Sequence, residues 1–174
     1  MVIFYNYIYI LMEKYVITGG PGAGKTTILN ELRNRGHQIV PEAARMIIEN
    51  GWGDPRKDLT GFQKKVVALQ LSLEELVDGL AFCDRGLIDT VAYSQLGNIE
   101  SIKLPKHRYA GIFLVEPVPF ENDSVRWESE EQAKKIHSAI EMAYRIFNYD
   151  IVKVPVLSPE ERAEFIVSKI NEVS

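Results

Sequence analysis

A single cysteine, a small net charge and the absence of a long hydrophobic run limit what this sequence can be. Cys83 cannot form a disulfide within the chain, and its place in the apolar run LAFC favours a small buried side chain. The net charge of −4 over 174 residues gives no general attraction to nucleic acid or anionic lipid. These features disfavour a disulfide-stabilised secreted domain and a nucleic-acid-binding protein, and they favour a cytoplasmic protein.

The sequence also lacks a recognisable zinc site. Its three histidines, His37, His107 and His137, are far apart and show none of the short spacings of zinc ligands. The apolar share of 46% and the charged share of 25% are ordinary for a globular protein. A chain of this length can bury its own hydrophobic core as one domain.

The first residues need a separate interpretation. Residues 1–11, MVIFYNYIYIL, are strongly apolar, but they carry no basic segment and no small-residue cleavage site of a signal peptide. They are also shorter than the roughly 20 residues that a membrane-spanning helix needs. We interpret residues 1–11 as an N-terminal extension or an added edge strand of uncertain status, with Met12 as a possible start. Residues 12–174 are predicted to form the single domain.

Strand-like and helix-like segments alternate along this domain. Short apolar runs predict five strands, at residues 14–18, 37–40, 80–84, 110–115 and 151–154, with amphipathic segments between them. The alternation predicts a three-layer α/β/α fold around a five-stranded, mostly parallel sheet.

Capping patterns mark the beginnings of three helices. Thr60 and Gln63 match a capping box for a helix through about residue 77, and Ser129 with Gln132 predicts a helix through about residue 147. The segment SPEE at residues 158–161 combines a capping box with proline at the first helical position, which predicts the last helix.

The segment GGPGAGKT, residues 19–26, satisfies the P-loop pattern G-x-x-x-x-G-K-[ST] between a predicted strand and a predicted helix. In such a loop the backbone N–H groups surround phosphates, Lys25 reaches the β- and γ-phosphates, and the Thr26 hydroxyl binds Mg²⁺. The pattern predicts binding of ATP with Mg²⁺, and GTP is possible although no N-K-x-D motif for guanine is present. The predicted nucleotide-binding residues are Gly19, Gly20, Pro21, Gly22, Ala23, Gly24, Lys25, Thr26 and Thr27.

A magnesium site needs a carboxylate at the end of a neighbouring strand, and Asp84 and Glu116 both follow apolar strands. We favour Asp84 because Arg85 follows it and could bind a phosphate in the same turn. The alternative is a local Asp84–Arg85 salt bridge that ends the strand. Glu116 precedes Pro117, which indicates a structural turn.

Glu42 follows the second predicted strand, where its carboxylate would face the nucleotide cleft of a parallel sheet. It could act as a general base, or it could serve the first turn of the next helix. Arg45 lies three residues later, so the two side chains could pair and shape an anionic substrate pocket, or could form a surface ion pair.

The polar segment 117–127 suits a lid, and Arg126 within it could close over the phosphates. Trp52, Tyr93 and Tyr109 could stack on a base or a sugar, although aromatic residues in a domain of this size more often pack in the core.

Four segments carry a resemblance to a known family. They are ITGGPGAGKTT at residues 17–27, VPEAAR at 40–45, DRGLIDTVAY at 84–93 and VPVLSPEER at 154–162, with Arg126 on the lid side. Together they resemble the AAA-type P-loop domains grouped with the kinase part of NadR, and the resemblance covers nearly the whole chain from Met12.

The resemblance implies a fold like that of nucleoside and nucleotide kinases. It also implies that Glu42 helps to activate a hydroxyl and that Asp84 and Arg85 serve metal and phosphates. The chain is too short for the helical lid of oligomeric AAA machines, and the family includes both enzymes and binding modules, so the fold alone does not choose between them.

The leading hypothesis is a kinase that transfers the γ-phosphoryl group of ATP to a hydroxyl of a small, nucleoside-like acceptor. Its predicted catalytic residues are Lys25, Glu42, Asp84, Arg85 and Arg126, and its predicted metal ligands are Thr26 and Asp84. The alternative is a nucleotide-switched binding or regulatory module with slow ATPase activity. Neither hypothesis fixes the oligomeric state.

Overall fold

The computed structural model describes residues 13–106, 109–118 and 130–173, and these form five strands and six helices. The strands are β1 (Lys14–Thr18), β2 (Gln38–Val40), β3 (Ala81–Asp84), β4 (Gly111–Val115) and β5 (Ile151–Val154). The helices are α1 (Lys25–Asn34), α2 (Ala43–Glu49), α3 (Leu59–Glu75), α4 (Asp89–Leu96), α5 (Glu130–Ile146) and α6 (Pro159–Val173).

The five strands form one sheet in the order β2-β3-β1-β4-β5, and every neighbouring pair is parallel. The predicted α/β fold with a five-stranded sheet is therefore confirmed. Because all strands run the same way, their carboxyl ends lie at one edge of the sheet. The loops that follow β1, β2 and β3 meet at that edge.

Each face of the sheet carries its own hydrophobic core. Neighbouring residues of one strand point to opposite faces, so Val16 and Ile17 belong to different clusters. Helices α1 and α6 cover one face, where their apolar side chains pack on Ile17, Phe82 and Phe113. Helices α3, α4 and α5 cover the other face, and α2 packs on α3 through a smaller cluster.

Several predicted boundaries shift by one or two residues. The second strand begins at Gln38 rather than at residue 37, the third at Ala81 rather than at residue 80, and the fourth at Gly111 rather than at residue 110. The helix predicted near residues 87–96, α4, begins at Asp89 because Leu87 and Ile88 form a buried turn before it. Ser158 and Glu161 cap each other reciprocally, as the sequence predicts for α6.

The predicted capping box of α3 is wrong. The helix begins at Leu59, and the carboxylate of Asp58 accepts a hydrogen bond from the N–H of Gly61 at 2.8 Å. Gln63 cannot close the box with Thr60 because it lies on the buried face of α3. Asp58 is therefore the N-cap, two residues before the position that the sequence pattern indicates.

Because Asp58 is the N-cap of α3, substitutions at Asp58 and at Thr60 should differ in their effect on stability. We expect Asp58→Ala to lower the free energy of unfolding by about 1 kcal/mol, because an orphan N–H group of the first turn loses its acceptor. Thr60→Ala should change it by less than about 0.5 kcal/mol. Urea unfolding of the two variants checks this, and the reverse order would restore Thr60 as the cap.

Among the described helices, none is both long and apolar enough to cross a bilayer. Residues 1–11, Ser129, His107 and most of the predicted lid at 117–127 lie outside the described residues. Only Pro117 and Val118 of that segment are described, and both lie in irregular structure after β4.

Candidate active site

The predicted site residues occupy neighbouring loops at the carboxyl edge of the sheet. The register pairs Ile17 with Asp84 across β1 and β3, and Val40 with Cys83 across β2 and β3. The P-loop, Glu42 and Arg85 each follow one of these three adjacent strands. The fold therefore brings together three segments that are far apart in the sequence.

Backbone geometry accounts for the glycines of the P-loop. Gly19, Gly22 and Gly24 all have positive φ angles, of 140°, 71° and 88°. A Cβ atom on Gly19 would also lie 2.8 Å from the carbonyl oxygen of Val115 on β4. Both the conformation and the contact with β4 therefore require glycine at the start of the loop.

Lys25 folds back over the loop that precedes it. Its ammonium group is buried and donates hydrogen bonds to the carbonyl oxygens of Gly19, at 3.0 Å, and Gly20, at 2.7 Å. Burial, together with the positive charge of Arg85, lowers the pKa of Lys25 to about 7. A phosphate in the loop would place a further anion beside this ammonium and would favour its charged form.

Two side chains from the C-terminal third of the chain hold the P-loop from outside. The N–H of Gly20 donates to Nδ1 of His137 at 3.2 Å, and Nη1 of Arg162 donates to the carbonyl oxygen of Ala23 at 2.8 Å. Arg162 also donates to the carbonyl oxygen of Glu116 at 3.3 Å, and it is 2% exposed. Sequence reasoning assigned no role to either side chain, although Arg162 ends one of the resemblance segments.

Arg85 lies at the centre of a buried ion-pair network. Its guanidinium contacts Glu42 Oε1 at 3.2 Å and Asp89 Oδ1 at 3.0 Å, and it donates to the carbonyl oxygen of Gly19 at 3.1 Å. It also lies 5.5 Å from the centre of the Tyr93 ring. Burial alone would lower the pKa of Arg85, but Tyr93, Asp89 and Glu42 raise it overall, so the guanidinium stays charged.

Asp89 fixes this network to the rest of the fold, and sequence reasoning missed it. Besides Arg85, its carboxylate accepts hydrogen bonds from Thr18 Oγ1 at 2.6 Å, Gly86 N at 3.0 Å and Tyr144 OH at 2.7 Å. It is 3% exposed. Asp89 lies within the resemblance segment at residues 84–93, but an acidic residue in the first turn of a helix normally indicates a simple helix-end preference.

Glu42 faces the cleft rather than its own helix. It occupies the N-cap position of α2, but its side chain caps no N–H group. Its carboxylate instead contacts Arg85 and lies 3.9 Å from Nε of Arg45, which is more than half exposed. The structure therefore places a paired, partly buried carboxylate beside the P-loop.

Asp84 has a carboxylate oxygen without a partner. Its Oδ1 is buried and accepts no hydrogen bond within the described part of the chain. Burial and the negative charge of Glu42 raise the pKa of Asp84 to about 6. The alternative of a local Asp84–Arg85 salt bridge is wrong, since Arg85 pairs with Glu42 and Asp89. Asp84 and the exposed Thr26 are the residues that could hold a cation here.

The remaining predicted residues are scattered. Glu116 lies 3.5 Å from Lys153, and its N–H donates to the carbonyl of Val154, which fits a structural turn. Tyr109 is buried and donates to Glu74, so its packing alternative is correct. Trp52 is half-exposed at the surface. Arg126 lies outside the described residues.

Comparison with known families gives this geometry a context. A family model described as an AAA domain matches residues 14–162, from the first residue of β1 to the arginine that supports the P-loop. The chain belongs to this AAA-domain family. The match includes all four segments that carry the resemblance. No curated protein sequence matches the chain significantly.

Solved structures with the same fold include three kinds of P-loop protein. The deoxyadenosine kinase of M. mycoides is 18% identical with a TM-score of 0.64, over 92% of this chain and 100% of that one. A NadR protein in complex with NR is 17% identical with a TM-score of 0.69, over 95% of this chain and 52% of that one. The shikimate kinase of Acinetobacter baumannii is 15% identical with a TM-score of 0.61, over 97% and 98%.

These identities are low, so the likeness establishes the fold. The AAA-domain chain has the α/β architecture of small-molecule P-loop kinases, and its P-loop occupies the place that this architecture requires, between β1 and α1.

Proposed function

We propose that this protein is a phosphotransferase that moves the γ-phosphoryl group of ATP to a hydroxyl group of a small, nucleoside-like metabolite. The observation that carries the proposal is the pair of Glu42 and Arg85, held 3.2 Å apart beside the P-loop. A carboxylate in this place can accept the proton of a hydroxyl, while the loop holds the phosphates. A loop that only binds nucleotide would not need this partly buried ion pair beside it.

Each of the site residues has its own role in the transfer. The acceptor oxygen forms a bond to the γ-phosphorus, the bond from that phosphorus to the β–γ bridging oxygen breaks, and the hydroxyl proton moves to Glu42 or Asp84. Lys25 exchanges the carbonyl oxygens of Gly19 and Gly20 for phosphate oxygens. Arg85 keeps the Glu42 carboxylate oriented and adds positive charge near the phosphates.

A magnesium ion fits the donor set of the site. The buried, unpartnered Oδ1 of Asp84 and the hydroxyl of Thr26 are hard oxygen donors of the kind that Mg²⁺ binds. When bound, Mg²⁺ would neutralise charge on the phosphates. Arg126 remains a candidate for the same task from the lid.

The relatives and the chemistry of the site both support a nucleoside-like acceptor. Deoxyadenosine kinase acts on a nucleoside, and the NadR structure contains NR. In this chain the Tyr93 ring lies beside Arg85, and Arg45 adds an exposed positive charge beside Glu42. These features suit a ring-containing metabolite that carries a hydroxyl group.

A panel of acceptors tests the proposal directly. We expect MgATP turnover to depend strongly on one acceptor among nucleosides, nicotinamide riboside and other hydroxyl metabolites, and mass spectrometry should detect its phosphorylated form. GTP in place of ATP measures the choice of donor.

Lys25→Ala is the matched blank, because loss of this one ammonium should lower turnover by about 10²- to 10³-fold. Lys135→Ala removes an exposed lysine from α5 and should retain full activity. Tight ATP binding with slow hydrolysis and no effect of any acceptor would contradict the kinase proposal and favour a nucleotide-switched module.

A further inference from the structure

His137 connects α5 to the beginning of the P-loop. Its Nδ1 accepts a hydrogen bond from the N–H of Gly20 at 3.2 Å, across 117 positions of sequence. The side chain is only 9% exposed. The hydrogen bond to this imidazole nitrogen therefore helps to position the backbone of the loop.

The contact leaves little freedom on either side. A Cβ atom on Gly20 would lie 2.9 Å from the carbonyl oxygen of Ala133 and 3.1 Å from Cβ of His137. Helix α5 thus packs directly against the loop at Gly20, where there is no room for a side chain. A change in the distance between His137 and Gly20 must move the loop, the helix or both.

The hydrogen bond defines the protonation state of the ring. An Nδ1 atom that accepts a hydrogen bond belongs to a neutral imidazole whose proton is on Nε2. A second proton on Nδ1 would face the N–H of Gly20, so two donors would point at each other. Protonation and this contact are therefore mutually exclusive.

The surroundings of His137 act on its charge from four elements. Burial lowers the pKa of His137 below its ordinary value, and the positive charges of Lys153 on β5 and Lys25 on α1 act in the same direction. The carboxylates of Glu116 after β4 and Glu141 on α5 oppose them. A cleft of about 340 Å³ beside the ring, between α5 and Gly20–Gly22, gives water and protons access to it.

We propose that His137 is a positioning residue for the P-loop, and that its protonation weakens nucleotide binding by releasing Gly20. The inference rests on the proposed binding of ATP by this loop. Its sign follows from linkage: the neutral ring supports the binding-competent loop, so affinity is retained at neutral pH. Affinity falls as the pH drops through the pKa of His137, which burial holds below its ordinary value.

The test compares variants at position 137 that keep or remove the hydrogen-bond acceptor for the N–H of Gly20. His137→Asn keeps an oxygen near the place of Nδ1 but does not titrate, whereas His137→Ala removes the acceptor. Dissociation constants for MgATP are measured by calorimetry from about pH 7.5 to about pH 5, with thermal unfolding of each variant under the same conditions. His37→Asn is the matched control, because His37 packs against Phe82 on the sheet face that α1 covers.

We expect His137→Asn to bind like the wild type near pH 7.5, and His137→Ala to bind about tenfold more weakly. Toward about pH 5 the wild type should lose about tenfold in affinity relative to His137→Asn, while His37→Asn follows the wild type. The comparison cancels the protonation of ATP itself, which all variants share.

Parallel profiles for the wild type and His137→Asn would overturn the inference and leave the proposed function intact. Tighter binding by the wild type at acid pH would also overturn it, since the attraction of a charged imidazole for phosphate would then exceed the loss of the hydrogen bond. Absence of MgATP binding by the wild type at about pH 7.5 would remove the proposed function and this inference together.

Discussion

Glu42→Gln should lower the rate of acceptor phosphorylation by about three orders of magnitude and leave the affinity for ATP unchanged. General-base catalysis by a positioned side chain contributes about 10²- to 10⁴-fold, and the amide cannot accept a proton from the hydroxyl. The substitution keeps the size of the side chain and an oxygen that can still accept from Nε of Arg85. Arg85 also retains its ion pair with Asp89, so the site should keep its shape.

The measurement is single-turnover phosphorylation of the acceptor, together with the dissociation constant for MgATP. Glu31→Gln is a suitable control, because Glu31 also pairs with an arginine, Arg35, but lies on α1 away from the sheet edge. If Glu42→Gln binds ATP and retains full turnover, Glu42 is not the base. Asp84 would then be the remaining candidate for the proton.

Asp89→Asn should destabilise the fold by about 3–5 kcal/mol, because it leaves the buried guanidinium of Arg85 with one carboxylate instead of two. The asparagine amide would also bring a donor into a place where Gly86 N and Tyr144 OH already donate. The substitution should also disturb the candidate active site, because Asp89 positions Arg85 and Arg85 in turn positions Glu42.

Urea unfolding measures this loss, and Asp150→Asn at an exposed position provides the control. Tyr144→Phe removes one of the hydrogen bonds that Asp89 accepts and should cost about 1–2 kcal/mol. A loss for Asp89→Asn no larger than that for Tyr144→Phe would show that the ion pair contributes little to stability.

The sequence was sufficient for features that are encoded locally. The P-loop and its strand and helix lie within a continuous segment, and hydrophobic runs of four to six residues located all five strands. The cap of α3 was local too, but two competing polar residues, Asp58 and Thr60, stand two positions apart. The pattern of Thr60 and Gln63 was misleading because Gln63 faces the core.

The supports of the site depend on contacts that no local pattern contains. Thr18 reaches Asp89 across 71 positions, and Ala23 reaches Arg162 across 139. An acid in a first helical turn and an arginine in a C-terminal helix are ordinary surface residues by sequence. Only the strand order, which brings β1 to the centre of the sheet, makes them neighbours of the loop. The roles of Glu42, Asp84, Arg85 and Arg126 stay predictions.

The late supports of the P-loop have a consequence for the order of synthesis. The loop emerges from the ribosome before its partners do, because β1 pairs with β3 and β4 and Ala23 accepts from Arg162. A nascent chain therefore carries the whole glycine-rich motif long before it can hold a phosphate firmly. Capture of nucleotide by such a chain would mark the moment at which α6 has docked.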